Sequence, residues 1–374
     1  MTALTDLPTP ALLLDRPRFE ANCARMRDRV SARGTRLRPH MKTLKAIDAA
    51  RIAIDPDHGG IAVSTLREAD YFAGHGIADI QLAVCLPPGK LAAAAEITRK
   101  APHFSFFLDT VEAAVAAAAF AHAQGITLSA WIEVDCGEHR TGVDPDGDAL
   151  IAIAQVLAES PVALAGVATH GGHSYRERQP SEIAAIAELE RRAVVHAADR
   201  LRAEGHDVPG VSAGSTPTAI HGRSADGLTE LRPGVYMAGD LFQAAIGSHE
   251  PDDMAVSVLA SVISHHKGRI MLDAGGLALS KDRSTAALGR DDMGYGLVAD
   301  LHGRPSFGRL IVETVHQEHG AVPIADEGLA ALLPVGAKVR VFPNHVCMTT
   351  AMYESYHLTD GDRLTGEWEK TGGW

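Results

Sequence analysis

The apolar positions of this chain fall into short runs, separated by longer stretches in which they recur every three or four residues. Ala11-Leu12-Leu13-Leu14-Asp15 is a run of strand length, and a helical pattern follows from Arg16 to Val30, ending near Gly34. From there the two textures alternate. The spacing predicts strands over 35–40, 60–64, 79–85, 103–108, 127–135, 163–169, 208–213 and 228–236. Helices are expected between them over 44–54, 66–74, 90–100, 110–124, 146–158 and 181–204, with a shorter one near 217–224. Eight strands with helical crossovers are what a parallel (β/α)8 barrel of the TIM type requires, an α/β fold. An open doubly wound sheet shares the alternation, but no Gly-x-Gly-x-x-Gly turn follows the first strand.

After about residue 245 the texture changes. Residues 255–264 alternate in part, 268–273 follow a turn, and short strand-like runs come at 307–314 and 337–342, punctuated by Gly and Pro. This predicts a second, mostly β domain. The run 11–15 precedes the barrel count and is expected to pair into it. The expected domains are therefore a barrel over 16–245 and a β domain over 1–15 and 246–374.

Composition narrows the class. Of 374 residues 46% are hydrophobic and 22% charged, the balance of a soluble globular protein long enough for two domains. The formal net charge of −12, with no basic stripe to offset it, argues against a nucleic-acid partner. Cys23, Cys85, Cys136 and Cys347 are scattered without paired spacing, which fits a reducing, cytoplasmic home better than a disulfide framework. The opening Met1–Asp6 has no basic region leading into an apolar run, so no signal peptide is expected. The apolar run from Val111 to Ala121 reads as an alanine-rich helix, too short for a membrane span.

Candidate chemistry gathers where the barrel strands end, the place that ligands occupy in such folds. Those ends carry Lys42, Ser64-Thr65, Arg140, His170, Gly214-Ser215-Thr216 and Gly234-Val235-Tyr236. Lys42 lies among Arg38, His40 and Lys45; neighbouring cations and desolvation lower a lysine pKa, as a Schiff-base amine needs. The plain alternative is an ordinary exposed lysine. Likewise Arg140 reads as a surface ion-pair partner and His170 as a satisfied core histidine. Gly214-Ser215-Thr216-Pro217-Thr218 is more specific: small residues opening a short helix present N–H groups and hydroxyls to an anion. A lysine at one end of the pocket and a phosphate cradle at the other suggest pyridoxal phosphate.

In the second domain, Pro343-Asn344-His345-Val346-Cys347 reads as a strand on which His345 and Cys347 share a face. Imidazole plus thiolate suits zinc, with other first-row metals as alternatives, and two ligands leave positions open for water or substrate. A packed strand with a buried cysteine is the plain reading. Gln317-Glu318-His319-Gly320 is a further polar cluster without an assigned role.

Arg38–Thr43, the Gly-Ser-Thr-Pro-Thr run, Gln317–Gly320 and Pro343–Cys347 together resemble the D-serine dehydratase-like, fold-type III pyridoxal-phosphate enzymes. That family holds D-serine dehydratase, D-threo-3-hydroxyaspartate dehydratase and D-threonine aldolase. The resemblance runs from about residue 8 to Trp374. It implies an alanine-racemase-like barrel with a β domain, usually as a homodimer. It implies that Lys42 forms the Schiff base and moves the α-proton. Arg140 is similar to the arginine near the cofactor's phenolic oxygen, and His170 to the residue against the pyridine ring, with Tyr175 following it into the pocket. Gly214, Ser215, Thr216, Gly234 and Tyr236 would hold the phosphate. His345 and Cys347 would hold a divalent metal: zinc, or else manganese, magnesium or cobalt.

The Gly-Ser-Thr-Pro-Thr and His-x-Cys forms look more like the dehydratases, the aldolases more often resembling Gly-Gly-Gly-Thr and His-x-Asp. The implied reaction is loss of water from a D-3-hydroxy amino acid (D-serine, D-threonine or 3-hydroxy-D-aspartate) to give a 2-oxo acid and ammonia. Cleavage of Cα–Cβ to glycine and an aldehyde is the alternative, and racemisation a third. A carrier of pyridoxal phosphate without turnover would have no use for His345 and Cys347. Arg176 and Arg283 are candidates for a second substrate carboxylate.

Overall fold

The computed structural model describes residues 3–374, with the side chain of Arg290 left aside. Two compact units emerge: Arg25–Gly234, and Met1–Ala24 together with Val235–Gly373. In chain order, β1 (Ala11–Asp15) and α1 (Arg16–Ser31) come first. The barrel strands follow: β2 (Arg36–Leu37), β3 (Ile61–Val63), β4 (Asp79–Cys85), β5 (His103–Leu108), β6 (Leu128–Glu133), β7 (Val162–Ala168), β8 (Gly210–Ala213) and β9 (Glu230–Leu231). Between them run α2 (Ile47–Ala53), α3 (Leu66–Gly74), α4 (Leu91–Lys100), α5 (Val111–Gln124), α6 (Asp148–Ala158), α7 (Pro180–Ala203) and α8 (Thr216–His221).

The eight strands are parallel neighbours in the order β2-β9-β8-β7-β6-β5-β4-β3. A parallel bridge between His40 and Ala62 joins the two ends, with Ala62 N–H donating to the Pro39 carbonyl at 3.0 Å. Every barrel strand expected from the pattern is present. Two are much shorter than expected, and for the same reason: β2 and β9 each run into Arg-Pro, and Pro39 and Pro233 have no N–H to continue a ladder. Local signals fix the helix ends. Thr110 caps α5 by accepting from Ala113 N–H at 3.1 Å, and Gly125 ends it in the left-handed region at φ 61.

The second unit contains α9 (Leu241–Ala245), β10 (Val256–His265), β11 (Arg269–Leu272), α10 (Gly276–Leu279), β12 (Gly296–Ala299), β13 (Thr314–Val315), β14 (Gly320–Pro323), α11 (Glu327–Leu332), β15 (Lys338–Pro343), α12 (Val346–Thr350), β16 (Ser355–Asp360) and β17 (Arg363–Glu369). With β1 these strands make one nine-stranded sheet along β13-β14-β11-β10-β1-β16-β17, with β15 pairing β10 and β12. β1 is antiparallel to β10 and parallel to β16, and its five residues are all buried. The expected strand at 307–314 is reduced to Thr314–Val315, plus a single bridge from Ile311 to Leu297. β12, β14, β16 and β17 were not anticipated. In β16 only Tyr356 and Leu358 supply the apolar alternation, too few to stand out from their polar neighbours. Among the described residues no helix is long and apolar enough to cross a membrane.

Candidate functional site

The expected helix over 44–54 begins only at Ile47, because the chain turns first. Met41–Leu44 form a turn, with Lys45 N–H donating to the Met41 carbonyl at 2.8 Å, and Lys42 is its exposed member. Lys45 leaves the turn in the left-handed region at φ 55, uncommon for a lysine, with its Nζ tied to Glu68 at 3.0 Å. Gly234 has a backbone reason to be glycine: a Cβ there would lie 2.7 Å from the His40 carbonyl oxygen.

Two of the basic neighbours that the sequence places around Lys42, Arg38 and Lys45, carry their own counter-ions. Arg38 is buried, bidentate to Asp79 at 2.7 and 3.0 Å, and reaches Glu230 at 2.8 Å. Cations also act on the two imidazoles near this turn. Burial and the charges of Lys42 and Arg232 hold His40 well below the usual imidazole value; burial with Lys42, Arg140 and Arg232 does the same to His170. Both rings are therefore neutral near pH 7, and His170 is further hydrogen-bonded to the Gly214 backbone. Tyr175 lies in the 3-10 turn Gly172–Arg176, its ring centroid 6.5 Å from that of His170. Arg140 is exposed and stands 3.6 Å from Glu138.

Arg232 escaped the sequence reading. It is buried at the end of β9, donating to the Ser212 hydroxyl and to the Thr169 carbonyl at 2.6 Å, with its guanidinium 5.4 Å from the centre of the Phe107 ring. Its signal was a cation at the end of a short strand, set just before a proline.

The Gly-Ser-Thr segment is buried and opens α8, as expected, but its donors are partly engaged within the fold. Ser215 N–H donates to the Thr218 hydroxyl at 2.8 Å, and Gly214 N–H to Glu190 at 3.0 Å. The first two N–H groups of the presumed cradle thus have protein partners. The Ser215 hydroxyl caps the helix by accepting from Thr218 N–H at 3.3 Å. Tyr236 is buried in the 3-10 turn Val235–Met237, which belongs to the second unit.

His345 and Cys347 do not lie on a strand. β15 ends at Pro343; His345 is the N-cap of α12 and Cys347 lies in its first turn, so alternation does not explain their meeting. They do meet, since the Cys347 sulfur is hydrogen-bonded to the His345 imidazole. The fold sets up this corner with buried polar anchors. Asn344 donates to Thr285 Oγ1 at 2.6 Å and to the Gly294 carbonyl at 2.8 Å, while Asp240 accepts Val346 N–H at 3.0 Å. Asp282, also missed, accepts from His345 Nδ1 at 2.6 Å and from the Ser284 hydroxyl at 2.6 Å, and the His345 bond holds it below the usual carboxylate range. Burial opposes charge on His345, yet Asp282 and Cys347 raise its pKa to about 11. The Gln317–His319 cluster forms an exposed tip between β13 and β14, with Gly276 and Leu277 donating to the His316 and Gln317 carbonyls.

A further set of potential ligands, Cys85, Asp109 and Glu133, converges at the ends of β4, β5 and β6. There burial and the two carboxylates push the Cys85 thiol up and keep it protonated, donating to Glu133 at 3.1 Å.

Two family models match: "Alanine racemase, N-terminal domain" over residues 14–241 and "Putative serine dehydratase domain" over 255–359. The D-threo-3-hydroxyaspartate dehydratase of Delftia sp. (strain HT23) is 42% identical over 380 residues, covering 99% of each chain. Two solved variants of a D-threo-3-hydroxyaspartate dehydratase are similar throughout, both at 41% identity and both covering 100% of this chain. A histidine-to-alanine form gives a TM-score of 0.95 over 97% of its own chain. A cysteine-to-alanine form, described as metal-free, gives 0.94 over 100% of its own chain. On this likeness across its whole length, the chain belongs to the D-serine dehydratase-like family of fold-type III pyridoxal-phosphate enzymes.

Proposed function

We propose that this chain is a pyridoxal-phosphate- and metal-dependent lyase that removes water from a D-3-hydroxy amino acid, giving a 2-oxo acid and ammonia, with D-threo-3-hydroxyaspartate as its first substrate. The observation that carries the reading is the His345–Cys347 pair, backed by Asp282, in a chain 42% identical to D-threo-3-hydroxyaspartate dehydratase. In the solved variants of such a dehydratase, the histidine and the cysteine replaced lie two positions apart, as His345 and Cys347 do, and the cysteine variant is the one described as metal-free.

Both groups suit the residues present. The cations acting on His40 and His170 favour an anion such as a phosphate, and Ser215 and Thr216 add buried hydroxyls. His345, flanked by Asp282 and the Cys347 sulfur, is a place where a proton and a metal compete. When bound, pyridoxal phosphate supplies an electron sink at Cα and a divalent metal supplies a Lewis acid for the β-hydroxyl.

The chain's own residues do the rest. Lys42 Nζ takes the α-proton. Ser215 and Thr216, with Gly214 and Gly234, would bind the phosphate. His170, a neutral ring, would meet the pyridine, Tyr175 would line the pocket beside it, and Arg140 would hold the phenolic oxygen. His345 would bind the metal through Nε2, because Nδ1 is taken by Asp282, and Cys347 would bind it through Sγ. Zinc is the metal we assign, and a cytoplasmic homodimer the state.

The test is incubation with D-serine, D-threonine and both 3-hydroxyaspartate diastereomers, with and without added metal. Ammonia and a 2-oxo acid are expected, oxaloacetate in the case of 3-hydroxyaspartate. Glycine and an aldehyde instead would overturn dehydration in favour of retro-aldol cleavage.

A further inference from the structure

One buried carboxylate lies behind two of the segments that hold the cofactor in the reading above. Glu190 sits in the middle of α7, on the face that also buries Ile183, Ile186, Ala187 and Val194, and it is 2% exposed. A carboxylate on the apolar face of a helix is unfavourable unless hydrogen bonds replace its water. Here a single oxygen, Oε1, accepts Gly171 N–H at 2.6 Å and Gly214 N–H at 3.0 Å, and the Thr218 side chain is bonded to the same carboxyl. Gly171 directly follows His170, and Gly214 opens the Gly-Ser-Thr segment.

The geometry closes a small ring. The His170 imidazole is bonded to the Gly214 backbone, and Glu190 ties Gly214 back to Gly171. Arg232 holds the other flank of His170 by donating to the Thr169 carbonyl. Gly171 is fitted to this arrangement, since a Cβ there would stand 3.3 Å from the Glu190 carboxyl.

We propose that Glu190 is a positioning residue for the cofactor: by fastening Gly171 and Gly214 to one oxygen, it sets the spacing between His170 and the phosphate-binding Gly214–Thr216. It touches neither cofactor nor substrate. The inference rests on the reading of His170 and Gly214–Thr216 as cofactor contacts.

The experiment compares holoenzymes of wild type, Glu190→Ala, Glu190→Asp and Glu190→Gln. Each is followed by the visible absorption and circular dichroism of the bound cofactor, by the rate of cofactor loss on dialysis, and by melting temperature. Glu190→Ala should lose cofactor at least tenfold faster and change the visible dichroism. Glu190→Asp keeps the charge but withdraws the oxygen by one methylene, and should lose cofactor several-fold faster. Glu190→Gln can restore one oxygen to both N–H groups, and should stay within about threefold of wild type. If Glu190→Ala does not fold, the Asp and Gln variants decide alone. A folded Ala or Asp variant with unchanged retention and unchanged dichroism overturns the proposal, as does a Gln variant no better than Asp. A wild-type protein without a visible cofactor band is a different failure, that of the cofactor reading itself.

Discussion

His170, at the end of β7, and His345, ahead of α12, are the same side chain in opposite surroundings. Lys42, Arg140 and Arg232 act on the first and, with burial, keep it neutral; Asp282 and Cys347 flank the second and hold a proton on it against burial. Each environment favours a different kind of ligand. A pocket whose cations suppress the charge of a histidine has positive potential left for an anion. A histidine that keeps its proton beside a carboxylate and a sulfur occupies a place where a metal would bind in the proton's stead. Under the function proposed above, the barrel unit would take the phosphate and the β unit the metal.

The sharpest way to break that contrast is Lys42→Ala. Activity should fall by at least about a thousandfold and the visible band of bound cofactor should vanish, while metal content per chain stays as in wild type. Loss of the metal as well would mean the two halves are not separate binding environments. Next in size, Cys347→Ala should abolish stoichiometric metal by elemental analysis and lower activity by about a hundredfold or more, with the cofactor band retained. A milder cut is Asp282→Asn, which keeps the shape but weakens the hold on His345 Nδ1. Metal affinity measured by calorimetry should fall about 10- to 100-fold, and an unchanged affinity would remove Asp282 from the site.

The smallest effect is a pH dependence that runs in opposite senses for the two regions. His40 and His170 have lowered folded-state values, so their contribution to stability is complete above the unfolded value near 6.5 and is lost as the pH falls below it. The loss amounts to at most ~1.4 kcal/mol per pH unit for each histidine. In metal-free protein His345 acts the other way. Its contribution is complete below about 6.5 and is lost as the pH rises through about 11. Melting temperatures across pH should show a shallower acid limb in His170→Asn; an identical acid limb would contradict a neutral His170.

What was legible in the sequence follows from how far apart the interacting residues are. The barrel strands were readable because a parallel strand buried on both faces is a continuous apolar run, as in Ile61–Val63 and Phe106–Leu108. β16 and β17 were not, since in β17 only Trp368 is buried. Residues expected for the site came from short motifs: the turn bearing Lys42, the Gly-Ser-Thr run, and the His-x-Cys pair. The pair was recognised for a wrong reason, a strand in place of a helix N-terminus, because Asp240 and Asn344, which shape that corner, bond to partners 106 and 59 positions away. Arg232, Glu190 and Asp282 have the same property. Asp282 meets His345 across 63 positions, and nothing local to Asp282 marks the meeting.

The seam between β2 and its neighbours carries one more consequence. His40 N–H donates to the Pro233 carbonyl at 2.9 Å and Arg38 N–H to the Leu231 carbonyl at 2.9 Å, while on the other flank Met41 N–H donates to the Ala62 carbonyl at 2.8 Å. The lysine turn is therefore pinned from one side by a strand made soon after it and from the other by the last strand of the ring. A nascent chain carries Lys42 for nearly two hundred residues of synthesis before both of its supports exist. The turn that bears Lys42 therefore has its full set of backbone supports only when the barrel shuts.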